Sequence, residues 1–248
     1  MPSNHSFRLF GFWKRWMNRK KVREQYVYFI SGMCYNCKVF DQLQLPEGYV
    51  KKYIEWHMPR QNESLSRYTR KMARSIDTSQ SFILVGYSFG AVIIQEMNRF
   101  LKPRKNIIIS SFKSKKEIPP LFQAVKKAHL ARRIPLSVYN RTEFITNAFN
   151  RFIYSASNEE LSEYMTYTDP GYIKWAIEKI TDWTPGVKRN TPLYHIHGTI
   201  DQIFPYERLR NVFPVEGGDH LMLLKKADVV SAILNSILLR KEKNDSTY

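Results

Sequence analysis

The sequence is short of acid, of cysteine and of long apolar runs. Its 248 residues carry 22 Asp and Glu against 39 Lys and Arg, a formal charge of +17 that favours contact with anionic surfaces. The 2 cysteines stand together in Cys34-Tyr35-Asn36-Cys37 with no second pair, which excludes a four-cysteine zinc site. The longest stretch without charge, Thr78 to Gln95, opens on the polar Thr78-Ser79-Gln80-Ser81 and is broken by glycine, so it does not read as a membrane span. The first residues lack the unbroken apolar core and small-residue cleavage site of a secretory signal, and a cytoplasmic protein is expected. Neither internal repeats nor low-complexity segments occur. What is present is a globular composition, 43% apolar and 14% aromatic, at a length that suits one domain with an inserted cap.

The most informative segment is Gly86-Tyr87-Ser88-Phe89-Gly90. It follows the apolar run Phe82-Ile83-Leu84-Val85 and precedes Ala91-Val92-Ile93-Ile94, which reads as strand, sharp turn, helix. A serine at the tip of such a turn is lifted out of the sheet, and the flanking glycines let neighbouring backbone approach. Serine is a poor nucleophile unaided, so this chemistry requires a base and a group that orients it. Both types of residue follow. In Leu193-Tyr194-His195-Ile196-His197-Gly198-Thr199-Ile200-Asp201 a β-favouring run reaches a glycine and then a carboxylate, which places Asp201 on a loop past a strand end. In Glu216-Gly217-Gly218-Asp219-His220-Leu221 a glycine turn delivers His220 just before a segment of helical period. Asp219 competes with Asp201 for the orienting role, but the side chains of adjacent residues diverge, which favours Asp201. The end of the strand after the elbow helix offers Ser110-Ser111 and no carboxylate.

The order Ser88, Asp201, His220 is that of enzymes built on the nucleophile elbow. From Tyr26 to about Leu239 the chain resembles the α/β-hydrolases, on Gly86-Tyr87-Ser88-Phe89-Gly90, His197-Gly198-Thr199-Ile200-Asp201 and Gly218-Asp219-His220. The resemblance implies an α/β fold with a mostly parallel sheet of about six strands flanked by helices, and an inserted helical cap. It also implies a serine hydrolase acting on carboxylic esters or thioesters of a small-molecule acyl substrate, with no cofactor, since the chain supplies nucleophile, base and oxyanion donors. The oxyanion donors would be the amide of Phe89, at a helix N-terminus, and that of Met33 after Gly32, with Cys34 as the alternative. Ser31 stands where a histidine is common in this family. The family supports many chemistries, so the resemblance names no single substrate.

Strands are expected at Tyr26 to Ser31, Val50 to Trp56, Phe82 to Val85, Asn106 to Ser110 and Pro192 to His197, with helices at Leu65 to Ile76, from the elbow to about Leu101, and near the C-terminus through Leu223, Ala227, Val230, Leu234 and Ile237. Core residues 25–112 and 190–240 thus enclose a helical cap at 113–189, with helices at Leu121 to Leu130, Arg141 to Tyr154 and Tyr172 to Trp183, expected to cover the site. Residues 1–24 are basic and aromatic, and on a helix Leu9, Phe10, Trp13, Trp16 and Met17 share a face. Such an element suits an anionic membrane surface, or docks on the protein's own core. That contact, in a non-catalytic protein of the same fold, is the rival reading. No nucleic-acid motif accompanies the charge. Residues 241–248 read as a disordered tail.

Four further features compete for a role. Cys34 and Cys37 follow a strand in the setting of a redox pair, or simply pack beside the oxyanion turn. His195 and His197 point to one face of a strand; no acid stands at matching spacing for a metal, so they read as hydrogen-bonded sheet-end residues. His57 lies on a loop that borders the pocket or is plain loop. Lys126, Lys127, Arg132 and Arg133 make the cap basic, as an attraction for anionic substrates or as a solvated helix face.

Overall fold

The computed structural model describes residues 24–128, 161–186 and 191–241, with Arg133, Pro135 and Val138 as isolated positions. Residues 1–23 of the basic aromatic segment, Arg132, the helix expected at Arg141 to Tyr154, and 242–248 of the expected tail lie outside the described residues. Six strands form one sheet: β1 (Gln25–Ile30), β2 (Tyr49–Tyr53), β3 (Phe82–Tyr87), β4 (Lys105–Ile109), β5 (Leu193–Gly198) and β6 (Phe213–Val215). Their spatial order is β2-β1-β3-β4-β5-β6, and every neighbouring pair is parallel. Parallel strands are linked by crossovers, so helices cover both faces and the central strands are buried and mostly apolar. All six residues of β3 are buried accordingly.

Alternation along the strands divides the core in two. On one face Tyr28, Ile30, Phe82, Leu84 and Ile108 pack under α1 (Leu65–Met72) and α2 (Phe89–Met97). The same core takes in Tyr172, Ile173, Trp175 and Ile180 of α4 (Pro170–Asp182), which follows α3 (Pro120–Lys127) in the chain. On the other face Val27, Phe29, Ile83, Val85, Ile107 and Ile196 pack under α5 (Met222–Lys225), α6 (Ala227–Leu239) and the short helical turn Cys37–Phe40. Between β4 and β5 the described elements are helical, apart from one antiparallel bridge in which Met165 pairs with Tyr35.

Local chemistry explains where these elements start and stop. Helix α1 begins where the Ser64 hydroxyl accepts the Arg67 amide at 3.3 Å, and α4 where the Asp169 carboxylate accepts the amides of Gly171 and Tyr172 behind Pro170. Helix α2 is buried on every side, so its apolar residues need no polar face. The buried Lys105 ammonium donates to the carbonyls of Ile237 (2.7 Å), Leu238 and Arg240, a cation at the carbonyl end of α6. Strand β6 has only three residues and lies at the sheet edge, where Pro214 is tolerated. Among the described residues no helix is long and apolar enough to cross a membrane.

Candidate active site

Ser88 sits between the last residue of β3 and the first of α2, with φ 51° and ψ −115°. A non-glycine residue in the left-handed region costs of order 1–3 kcal/mol and persists only where its surroundings enforce it. They do so here by close packing. A Cβ on Gly86 would lie 2.5 Å from the Gly90 carbonyl oxygen, and one on Gly90 would overlap the carbonyls of Ile30 and Ser31. The elbow is pinned further by its own polar groups: the Ser88 amide donates to Ile109 O (2.9 Å), and the Ser111 hydroxyl donates to Ser88 O (2.9 Å).

Two loops bring the remaining groups to it. The loop after β5 carries Asp201, and the loop between β6 and α5 carries His220. They are stitched together by the amide of Thr199 donating to Val215 O and that of Ile200 donating to Gly218 O, and Gly198 passes so near the Gly218 carbonyl that a Cβ would overlap it. The result is a hydrogen-bonded line. Asp201 Oδ2 accepts from His220 Nδ1 at 2.9 Å, and the other ring nitrogen, Nε2, lies 3.0 Å from Ser88 Oγ. Because the carboxylate only accepts, the His220 proton sits on Nδ1, leaving the Nε2 lone pair for the serine hydroxyl. The Tyr87 hydroxyl fixes the loop by donating to His220 O at 2.8 Å.

Asp201 and His220 are nearly inaccessible to solvent. Burial pushes the Asp201 carboxyl up, but the facing His220, His197 and the Phe204 amide outweigh it and hold the group below the ordinary carboxylate value. Asp201 Oδ1 accepts the amides of Ile203 (2.8 Å) and Phe204 (3.1 Å). Asp219 is turned away, accepting the Leu221 amide and pairing with Lys225. Of the two candidate carboxylates, Asp201 is the one in contact with His220.

The turn after β1 lies against the serine. A Cβ on Gly32 would fall 3.3 Å from Ser88 Cβ; Met33 follows Gly32 in that turn, and Phe89 opens α2 directly after Ser88. The Ser31 hydroxyl donates to Tyr35 O at 2.5 Å and accepts from Trp56 Nε1 at 2.9 Å; the same indole N–H reaches Gly32 O at 3.0 Å. Trp56 also stacks on Phe89, with ring centroids 5.4 Å apart and planes at 10°. The sequence places Trp56 only as the end of the second strand, whereas the strand stops at Tyr53 and the indole clamps the turn. Nothing in the local sequence signals a bond across 25 positions.

The other candidates settle as follows. Cys34 and Cys37 are free and buried, and burial pushes both thiols up to about 12, the reverse of what a reactive redox thiol needs. His57 is half-buried, with its ring stacked on Tyr68. Lys126 donates to Asp182 O and Thr184 Oγ1, tying α3 to the end of α4, while Lys127 and Arg133 are exposed. His195 and His197 are hydrogen-bonded at the sheet end, but an acid does stand beside them: Asp201 Oδ2 comes within 3.5 Å of His197 Nε2. The chain doubles back after Gly198 to make this contact, which strand spacing does not reveal. Among the described residues no group of three metal-ligating side chains occurs.

The sheet, the elbow and the two loops define an α/β-hydrolase fold. No protein-family model matches the chain, and no curated protein matches it in sequence. Solved structures do. MenH from S. aureus is 14% identical with a TM-score of 0.69, over 87% of this chain and 94% of that one. A thermophilic esterase from Thermogutta terrifontis is 12% identical with a TM-score of 0.64, over 87% and 90%. An α/β-hydrolase fold protein from Burkholderia ambifaria is 13% identical with a TM-score of 0.60, over 86% and 91%. The fold is shared at identities where substrates are not transferable.

Proposed function

We propose that the protein is a serine hydrolase that cleaves carboxylic ester or thioester bonds through an acyl-enzyme on Ser88. The observation that carries this reading is the unbroken line from Asp201 through His220 to Ser88 on a strained strand-to-helix turn. The thermophilic esterase among the similar folds is consistent with it.

In the mechanism, Ser88 Oγ attacks the acyl carbonyl carbon as His220 Nε2 takes the hydroxyl proton. Asp201 holds the imidazole in the required tautomer and stabilises the imidazolium. The carbonyl oxygen becomes an oxyanion facing the Phe89 and Met33 amides, the first of them at the N-terminus of α2 where the helix dipole favours negative charge. The carbon to leaving-group bond then breaks and the alkoxide or thiolate takes the proton from His220. Water, deprotonated by His220, then attacks the acyl carbon, the bond from that carbon to Ser88 Oγ breaks, Oγ takes the proton back from His220, and the carboxylic acid leaves. No step needs a metal or cofactor.

The reading is tested with p-nitrophenyl esters and acyl thioesters of graded chain length, assayed on wild type and Ser88→Ala. Turnover lost in the variant, by about 10⁴-fold or more, is the expected result. Equal turnover by the two proteins would end the serine mechanism.

A further inference from the structure

The inner face of β5 is an unusual place for polar side chains. Its neighbour β4 presents Ile108 to the core at the position paired with His195. His195 and His197 have no solvent exposure, in a layer otherwise filled by Phe112, Phe204 and Ile108. Burying two imidazoles in an apolar layer is unfavourable unless each finds partners. Each finds at least one, in a chain that leads to the active site. His195 Nε2 lies 3.2 Å from His197 Nδ1, and His197 Nε2 lies 2.8 Å from Phe204 O.

A carbonyl only accepts, so the His197 proton is on Nε2. Its Nδ1 is then an acceptor, which places the His195 proton on Nε2 as the donor to it. The Phe204 residue is held from both sides, its carbonyl by His197 and its amide by Asp201 Oδ1. The same His197 Nε2–H faces Asp201 Oδ2, the oxygen that accepts from His220, at 3.5 Å. We propose that His197, its proton held on Nε2 by the Phe204 carbonyl and its Nδ1 accepting from His195, is a positioning residue that fixes the 201–204 turn and thereby aims Asp201 Oδ2 at His220. The catalytic consequence rests on the serine-hydrolase reading; the positioning itself does not.

The charged and titratable groups around the pair are Asp201 and His220 on the loops, and Lys113 beyond β4, whose charge acts on both rings. Burial depresses the proton affinity of His195 and His197, more than the Asp201 charge restores it at His197. Burial therefore favours the neutral form of both rings and disfavours His197 as a second cation facing the carboxylate.

The first experiment needs no variant. Nitrogen-15 spectra of histidine-labelled wild type between about pH 6 and 8 should show His197 neutral with its proton on Nε2 throughout. A charged His197 or the opposite tautomer overturns the proposal. The second compares two polar replacements of similar size. Gln at 197 keeps an N–H near the Nε2 position, whereas Asn does not reach it. The far-downfield proton signal of His220 Nδ1–H should survive in His197→Gln and be lost in His197→Asn, and fluorophosphonate labelling of Ser88 should be at least about tenfold faster in the Gln variant, the effect of one buried hydrogen bond. Retention of the signal in both variants, or its equal loss in both, overturns the proposal. Failure of wild type to label would sink the hydrolase reading while leaving the histidine spectra to decide the positioning role.

Discussion

Ser88 and His220 are held in place by different physics. Around Ser88 the constraints are steric and backbone-based: a buried strand, a helix buried on all sides, and glycines at 86 and 90 packed against neighbouring main chain. Around His220 they are polar: Asp201, the Ile203 and Phe204 amides, Tyr87, and the two buried histidines of β5. Packing is indifferent to pH and intolerant of added volume. A hydrogen-bonded loop tolerates volume better and depends on protonation. The two halves should therefore fail under different insults.

The largest effect is expected on the polar half. Asp201→Asn keeps the shape but inverts the hydrogen bond to His220, and should lower kcat by about 10⁴-fold. Asp219→Asn, which alters the hydrogen bond from the Leu221 amide and the pairing with Lys225, should change it by less than about threefold. Steady-state kinetics on both variants check this, and equal effects would reassign the acid. Next comes the steric half. Gly90→Ala drives a methyl group into the Ile30 and Ser31 carbonyls, backbone that cannot rotate away, and should cost about 3 kcal/mol or more in denaturant unfolding. A cost below about 1 kcal/mol would mean that the elbow is not pinned by close packing.

How much of this was legible in the sequence follows the same division. The elbow is written locally, so strand, serine, glycines and helix are readable within a dozen residues. Asp201 and His220 are readable because each follows a glycine turn after or before a regular element. Their supports are not, because they are contacts between distant segments. Trp56 meets Ser31 across the end of the sheet, and Ser111, read only as a missing carboxylate, holds the Ser88 carbonyl. The five strands read from the sequence all form, but β6, three residues around Pro214, has too little pattern to be seen. Helix α2 stops at Met97, short of the expected Leu101, in turns that precede Pro103.

A smaller effect is expected where the halves meet. Trp56→Phe keeps an aromatic face for Phe89 but removes the N–H shared by Ser31 and Gly32, leaving two buried acceptors underserved. A loss of about 1–2 kcal/mol is expected, seen as a roughly tenfold fall in kcat with KM little changed. A change in KM alone would remove Trp56 from the support of the oxyanion turn.

Acid probes the buried histidines without a change of sequence. His195 and His197 have depressed folded values, so below the ordinary histidine pKa the unfolded chain takes up protons that the folded chain refuses. Stability then falls as pH falls, by up to about 1.4 kcal/mol per pH unit for each ring, until the folded values are reached. Asp201, whose folded value is below the ordinary carboxylate one, adds its loss only in stronger acid. Thermal melts from about pH 7.5 to 5 on wild type and His195→Phe check the sign, the variant being expected to show the shallower slope. Identical slopes would contradict the neutral, buried state of this ring.

The central claim is that Ser88 is activated by His220. It is tested most directly by reacting the purified protein with a fluorophosphonate and mapping the adduct by mass spectrometry, in wild type, Ser88→Ala and His220→Ala. An adduct on Ser88 in wild type, absent from Ser88→Ala and lost from folded His220→Ala, is the expected result. Folded wild type that stays unmodified, or an adduct on Ser88 undiminished without His220, would contradict the account.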